Sequence, residues 1–307
     1  MKRAGGGIAL GLLTICGLGG PAAAQKAPDV GYVYPPGGRA GSAVEVHLGG
    51  YDWTPDLQYF VHHPGVKLEI TGGLTPIFLT PPPYWTGPKT YSPALPIPRE
   101  RPARITLPSD LPPGPIRWQV ANANGGSACG VFWVGSGPEI LEEPHRREPQ
   151  KLPALPITVN GRVSRISEVD RYRFTASRTG PVTCELFARR LGSSFNGVLE
   201  VRDSRGKVVA DFADTEGRDG SLTFAARAGE EYVLGVHDLD FNGDRAFVYR
   251  LELTPGPRVL ATYPAAGRRG EAREVEFVGV GVATGAAKLE SVRRKVAFPD
   301  RGPFVYR

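Results

Sequence analysis

Short apolar-polar alternations, each a few residues long and bounded by Gly, Pro, Asn or Asp, run along most of this chain. They predict strands: successive side chains on a strand point to opposite faces, so period-two alternation marks a half-buried strand. Val44, Val46 and Leu48 alternate in this way near the start. The closing strands of the same region are Gly114–Val120 and Gly130–Val134, with a turn at Asn122–Gly126 between them. Between residues 154 and 255 the pattern predicts eight strands: Pro156–Arg162, Asp170–Ala176, Val182–Ala188, Gly197–Arg202, Val208–Phe212, Gly220–Ala225, Glu231–Asp238 and Phe247–Leu253. Turn signals such as Asp203-Ser-Arg-Gly and Asn242-Gly243 separate them, and eight short strands so punctuated predict a β-sandwich.

One internal repeat stands out. Tyr34-Pro-Pro-Gly-Gly-Arg-Ala-Gly-Ser-Ala-Val-Glu-Val46 and Tyr263-Pro-Ala-Ala-Gly-Arg-Arg-Gly-Glu-Ala-Arg-Glu-Val275 match without a gap at Tyr, Pro, Gly, Arg, Gly, Ala, Glu and Val. Such self-similarity predicts two copies of one module. A Tyr-Pro-x-x-Gly turn followed by Val-Glu-Val and a glycine pair resembles the opening of IPT/TIG immunoglobulin-like domains. The first copy is expected over 30–135, with the proline-crowded stretch from Pro81 to Pro102 as a long surface excursion. The second, over 257–307, holds about half the ~100 residues of an immunoglobulin-like sandwich. This predicts a partial domain, and a chain that is a piece of a longer protein.

The middle region carries a second resemblance. Leu155-Pro-Ile-Thr-Val-Asn-Gly-Arg-Val163, Val169-Asp-Arg-Tyr-Arg-Phe-Thr-Ala176, Ala188-Arg-Arg-Leu-Gly-Ser-Ser194 and Tyr249-Arg-Leu-Glu-Leu253 together resemble the pre-peptidase C-terminal domain. That resemblance implies a small secreted β-sandwich over 154–255 that accompanies enzymes without being one. Glu143-Pro144-His145 stands where the family often has Glu-Pro-Asn. Residues 136–153 read as a polar, proline-broken linker. The fold class is therefore all-β, as tandem β-sandwiches.

Composition agrees: 40 Gly and 30 Pro suit short strands and tight turns and disfavour long helices. Met1-Lys2-Arg3, an apolar stretch from Ile8 to Leu18, and Ala22-Ala23-Ala24 before Gln25 form the pattern of a secretory signal peptide, expected over 1–24. The mature chain is then exported to the periplasm, the cell surface or the medium, with no transmembrane segment. Its basic residues are scattered among acidic ones, which speaks against nucleic acid as a partner. Cys129 and Cys184 fall in different regions and in strand-like runs, which predicts two buried free thiols; export permits a disulfide but does not require one.

Candidate chemistry is sparse. Gly125-Gly126-Ser127-Ala128-Cys129 lacks the last glycine of a nucleophile elbow and sits between strands, so it reads as a hairpin turn. His62 and His63 are neighbours on a strand and diverge, so they make no metal pair. His47, His145 and His237 belong to no protease motif, and the chain is expected not to be an enzyme. The best site candidate is Asp238, Asp240, Asn242 and Asp244. Their alternation with Gly243 at the turn resembles the first half of an EF-hand loop, but Tyr249 falls where the bidentate carboxylate belongs. A simpler calcium site is one reading, and the resemblance to a family with calcium-binding members supports it; a solvated Asn-Gly hairpin is the other. Asp211, Asp214, Glu216 and Asp219 form a second acidic loop. Tyr84 and Trp85, between Pro83 and Gly87, are the candidate ligand platform, for an extracellular protein or polysaccharide, or a plug that pins the excursion. The expected function is a non-catalytic exported binding, adhesion or spacer module. The alternatives are the accessory front of a longer secreted peptidase or other hydrolase, and a carbohydrate-binding module.

Overall fold

The computed structural model describes residues 26–76, 98–213, 218–302 and 304. It is all-β: two sandwiches in tandem followed by a single sheet.

The first sandwich contains β1 (Asp29–Tyr34), β2 (Gly37–Arg39), β3 (Ala43–Tyr51), β4 (Gln58–Val61), β5 (Lys67–Ile70), β6 (Arg99–Thr106), β7 (Gly114–Asn122), β8 (Gly125–Gly126) and β9 (Gly130–Gly135). One sheet runs β1-β3-β6-β5 and the other β2-β9-β7-β4, with β8 paired to β7. The alternation read from the sequence fills the space between them. Val33, Val46 and Leu48 from one sheet meet Trp118, Val120, Phe132 and Val134 from the other, and Trp53 plugs one end.

The second sandwich contains β10 (Glu139–Leu141), β11 (Gln150–Lys151), β12 (Ile157–Arg162), β13 (Asp170–Thr175), β14 (Gly180–Phe187), β15 (Gly197–Asp203), β16 (Val208–Ala213), β17 (Ser221–Ala226), β18 (Glu231–Asp238) and β19 (Val248–Pro255), with a 3-10 turn at Arg189–Leu191. Its sheets run β10-β12-β19-β14-β17 and β11-β13-β18-β15-β16. All eight strands expected here are present, with ends shifted by two residues at most. The segment expected as a linker behaves differently. Its two short strands, β10 and β11, add in parallel to the edges of both sheets and close one side of the sandwich. Gln150 clasps the segment: its Nε2 donates to the Leu141 carbonyl at 2.9 Å and its Oε1 accepts the Glu143 N–H at 2.8 Å. Polar side chains that look like linker composition are here spent on backbone groups.

The third unit is one sheet, β20 (Arg258–Tyr263), β21 (Ala272–Val280) and β22 (Leu289–Ala297), in that order. It repeats the first sandwich in register. Tyr34 pairs with His47 and Tyr263 with Glu276; each first strand carries a bulge at the same place, after Val30 and after Val259. Both Tyr-Pro bonds are cis. The first module's second sheet has no counterpart here among the described residues.

Candidate functional site

In the acidic hairpin the buried carboxylate is directed at backbone N–H groups. Asp238 is buried at the end of β18, and both its oxygens serve backbone: Oδ1 accepts the Asn196 N–H at 3.2 Å, and Oδ2 accepts the N–H groups of Asp240 and Asn242 at 3.1 Å each. Asp244 accepts the Ala246 N–H at 2.8 Å, and Asp240 and Asn242 are exposed. The loop is thus a capped turn, held further by His237 stacked on Phe241 at 4.4 Å. No group of three or more His, Cys, Asp or Glu among the described residues is placed to hold a metal ion. Three N–H donors take up most of the roughly four lone-pair sites of the Asp238 carboxylate.

In the second acidic loop, Asp219 caps the 3-10 turn by accepting from the N–H groups of Ala188, Arg189 and Arg190. Asp214 and Glu216 lie outside the described residues, as do Tyr84 and Trp85 of the candidate platform. His62 pairs with Gln119 at 2.9 Å, and His63 accepts the Gly65 N–H in its turn. Ser127 takes the Val120 N–H across the β7–β8 hairpin, which is a structural assignment. Both cysteines are free, but only Cys184 is buried, with burial pushing its thiol up to about 12; Cys129 is exposed, against expectation, because the strand begins one residue after it.

The structure instead gathers two polar clusters that the sequence reading missed. The first lies in a 330 Å³ cavity between the 142–150 segment and the 165–172 loop, lined by Glu143, His145, Arg165, Glu168, Asp170 and Tyr172 among others. Glu142 and Asp170 meet at its floor. Tyr249 donates to Asp170 Oδ2 at 2.7 Å and approaches Glu142 Oε2 at 3.4 Å; its hydroxyl lies 2.5 Å from that of Tyr172. Glu142 Oε2 also accepts the Arg162 N–H at 2.7 Å. The approach requires Gly161, where a Cβ would stand 2.4 Å from the Tyr249 ring and 2.5 Å from Glu142.

Burial, then the neighbouring Asp170 charge, pushes Glu142 up to about 8. Burial likewise raises Asp170 to about 7, against the lowering bond from Tyr249. Two carboxylates sharing a desolvated floor cannot both ionise cheaply. Chemically the pair holds a proton near neutral pH. At the mouth, Glu168 caps the loop by accepting from Ser164 and Arg165, and its other oxygen meets His145 Nδ1 at 3.2 Å.

The second cluster joins the two sandwiches. Tyr32 and Tyr34 on the outer face of β1 pack on Ala246 and Val248. Tyr32 donates to Glu100 at 2.5 Å; Arg162 and Arg245 approach the same carboxylate at 3.5 and 3.7 Å. The Arg162 guanidinium sits 4.5 Å over the Tyr34 ring. Trp133 meets Phe187 edge-on at 5.0 Å, and Arg190 covers that ring. Deepest is Arg250 on β19, fully buried. It makes two 2.9 Å bonds to the two oxygens of Glu139 and a third to Asn160 Oδ1. Its guanidinium lies flat against Gly37, where a Cβ would be 2.1 Å from Nη1 and 2.5 Å from the Trp133 carbonyl. A signal for the cavity was present: alternation puts Asp170 on the same face as Tyr172 and Phe174, an acid in register with core. Arg250 gave none, since a strand's outward residue ordinarily meets water, and here it meets another domain.

No family model and no curated protein matches this sequence. Solved structures do. The pre-peptidase C-terminal domain of a Bacillus anthracis collagenase is 16% identical and covers 36% of this chain and 100% of that domain, with a TM-score of 0.29. PliG, a Salmonella Typhimurium periplasmic inhibitor of g-type lysozyme, is 13% identical over 39% of this chain and 98% of its own, with a TM-score of 0.22. SGBP-B of a Bacteroides ovatus mixed-linkage glucan utilization locus, solved with a mixed-linkage heptasaccharide, is 8% identical over 70% of each chain, with a TM-score of 0.18. At such scores the resemblance is one of β-sandwich shape and carries no argument about ligand or activity.

Proposed function

We propose that this chain is a non-catalytic, exported binding or spacer module whose first two sandwiches act as one rigid arm. In this reading the first sandwich is of the IPT/TIG type, the second of the pre-peptidase C-terminal type, and the third sheet begins a second IPT/TIG-type module. The observation that carries it is the seam where Tyr34, Gly37, Glu100 and Trp133 of the first sandwich meet Arg162, Arg245, Arg250 and Phe187 of the second. Domains joined by a free linker pivot by default. Glu100 of the first sandwich faces Arg162 and Arg245 of the second at 3.5 and 3.7 Å, Arg162 covers Tyr34 and Trp133 packs on Phe187, so a displacement would part these charges and uncover aromatic surface on both sides. A fixed arm suits a part that sets distance and direction for whatever it is attached to. The polar groups of the described sites support the same reading, since Asp219, Asp238 and Glu168 are spent on backbone caps.

The experiment is small-angle scattering with thermal unfolding of residues 25–307. One cooperative transition and a scattering profile that matches a single rigid pair of sandwiches are expected. Two separate transitions and a broad distribution of inter-sandwich distances would refute the arm. Turnover by the pure protein in a panel of peptidase and glycosidase substrates would overturn the non-catalytic part. A glycan array read with the parent and with Trp85→Ala tests the carbohydrate alternative directly.

A further inference from the structure

Arg162 closes β12 and belongs to two clusters at once. Its backbone N–H donates to Glu142 Oε2 at 2.7 Å, on the floor of the 330 Å³ cavity. Its guanidinium reaches the seam, 4.5 Å over the Tyr34 ring and 3.5 Å from Glu100, both in the first sandwich. A single residue thus links an acid pair of the second sandwich to the surface that carries the first.

The two carboxylates beside Arg162 are differently supplied. Glu100 also accepts from Tyr32 at 2.5 Å and faces Arg245 at 3.7 Å. Glu142 has the Arg162 N–H and the Tyr249 hydroxyl as donors, and no ion pair among the described residues. Asp170, Arg171 and Tyr172 of β13, Tyr249 of β19, and Glu143, His145 and Glu168 around the cavity face it. Of the charges that act on it, Asp170 and Glu168 oppose its ionisation and Arg162 eases it. On the seam side, His47 of β3 stands across from Tyr34. The two clusters are within electrostatic reach of each other. Burial, then the Glu142 charge, raises the Tyr34 hydroxyl, and Arg162 opposes them.

While the floor holds its proton, Glu142 is neutral and makes little demand on Arg162. Once both acids are charged, two carboxylates share a poorly hydrated floor, where an opposite charge attracts far more strongly than in water. A buried charge without a partner is costly, whereas a long, part-exposed pair such as Arg162–Glu100 contributes little. Exchange of the guanidinium from Glu100 to Glu142 is therefore favourable. It strands nothing, because Glu100 keeps Tyr32 and Arg245. The cavity gives the floor a path to water, so its proton can leave and return.

We propose that Arg162 is a shared latch between the sandwiches: when the Glu142–Asp170 floor is fully ionised, its guanidinium is drawn from Glu100 and Tyr34 toward Glu142, and the first sandwich is freed to pivot on the second. The latch rests on the rigid-arm reading and makes that arm the state held at and below neutral pH. A change of charge on one buried pair then selects between a fixed and a pivoting junction.

The test is a distance between the sandwiches read at pH 6 and at pH 9. Cys129 is exposed and Cys184 buried, so residues 25–307 carrying Ser204→Cys, in the exposed β15–β16 turn, take one spin label on each sandwich. Pulsed electron paramagnetic resonance is expected to give a narrow distance distribution at pH 6 that broadens about twofold at pH 9. The midpoint is expected at about pH 8, where Glu142 releases its proton, with the far-ultraviolet circular dichroism unchanged. Glu142→Gln is expected to stay narrow at both pH values, and Arg162→Gln to give one width at both. His47→Gln/His145→Gln is expected to keep the parent response. A parent equally narrow at both pH values would overturn the latch and leave the arm standing. A parent equally broad at both would remove the arm and the latch with it. A Glu142→Gln chain that still broadens would place the titration on another group and overturn the latch. Loss of the dichroism signal along with the narrow distribution would also overturn it, as unfolding in place of release.

Discussion

Stability should fall as pH rises through neutrality, and Glu142 should be a principal cause. Its carboxyl is raised from 4.5 to about 8 in the folded chain. In the unfolded chain it releases its proton near the ordinary value. Between about pH 5 and pH 8 the native state therefore holds a proton that the unfolded state has lost. Stability is complete below the unfolded value and is lost as pH rises toward the folded one, by about 1.4 kcal/mol per pH unit for each proton held. Between those two values this amounts to about 2–5 kcal/mol, the lower figure allowing for water entering the cavity. Asp170, raised to about 7, adds in the same direction, and so does Glu252, which burial also raises. Glu142→Gln isolates the first contribution, because the amide oxygen still accepts from Arg162 N–H and Tyr249. Urea unfolding followed by far-ultraviolet circular dichroism from pH 5 to pH 9 is the assay. The variant is expected to match the parent near pH 5 and exceed it by about 2–5 kcal/mol near pH 9. Parallel profiles for parent and variant would refute the desolvated-pair account.

Arg250→Ala should cost about 3–5 kcal/mol by leaving Glu139 buried and unpaired, read as a lowered urea midpoint, whereas a cost near zero would mean that water reaches the pair. Gly37→Ala should loosen the seam with a smaller loss, and it is expected to split the single thermal transition into two. Asp238→Ala should cost about 1–3 kcal/mol through three lost N–H acceptors, while Asp240→Ala stays within about 0.5 kcal/mol. A melting temperature raised by Ca²⁺ in the parent but not in Asp240→Ala would restore the cation site. Native protein should titrate one thiol with a disulfide reagent, the exposed Cys129; reaction of Cys184 before unfolding would show that its strand opens locally.

Alternation and turn chemistry are local properties, and they were legible. Eight of the ten strands of the second sandwich could be marked because period-two burial leaves its trace in consecutive residues. The repeat at Tyr34 and Tyr263 likewise translated into one register with one bulge, since the same residues make the same turn. The acidic hairpin was legible as a turn. Asp238, Asp240, Asn242 and Asp244 show oxygens in sequence, but the direction in which Asp238 spends them depends on Asn196, far away in the chain. The 136–153 segment misled for a related reason: polar, proline-broken residues look alike whether they float as a linker or clasp two sheet edges.

By itself, then, the sequence determined an all-β chain and eight strands of its second sandwich with the turns between them, because backbone geometry ties those features to neighbouring residues. Only the tertiary structure decided that β6 begins inside the proline-crowded stretch, that Glu142 and Asp170 share a floor, and that Arg250 is sealed between two domains against Gly37. Those are meetings of residues distant in sequence. Their energies, desolvation and ion pairing, depend on what else occupies the same space, and that is settled when the sandwiches close and dock.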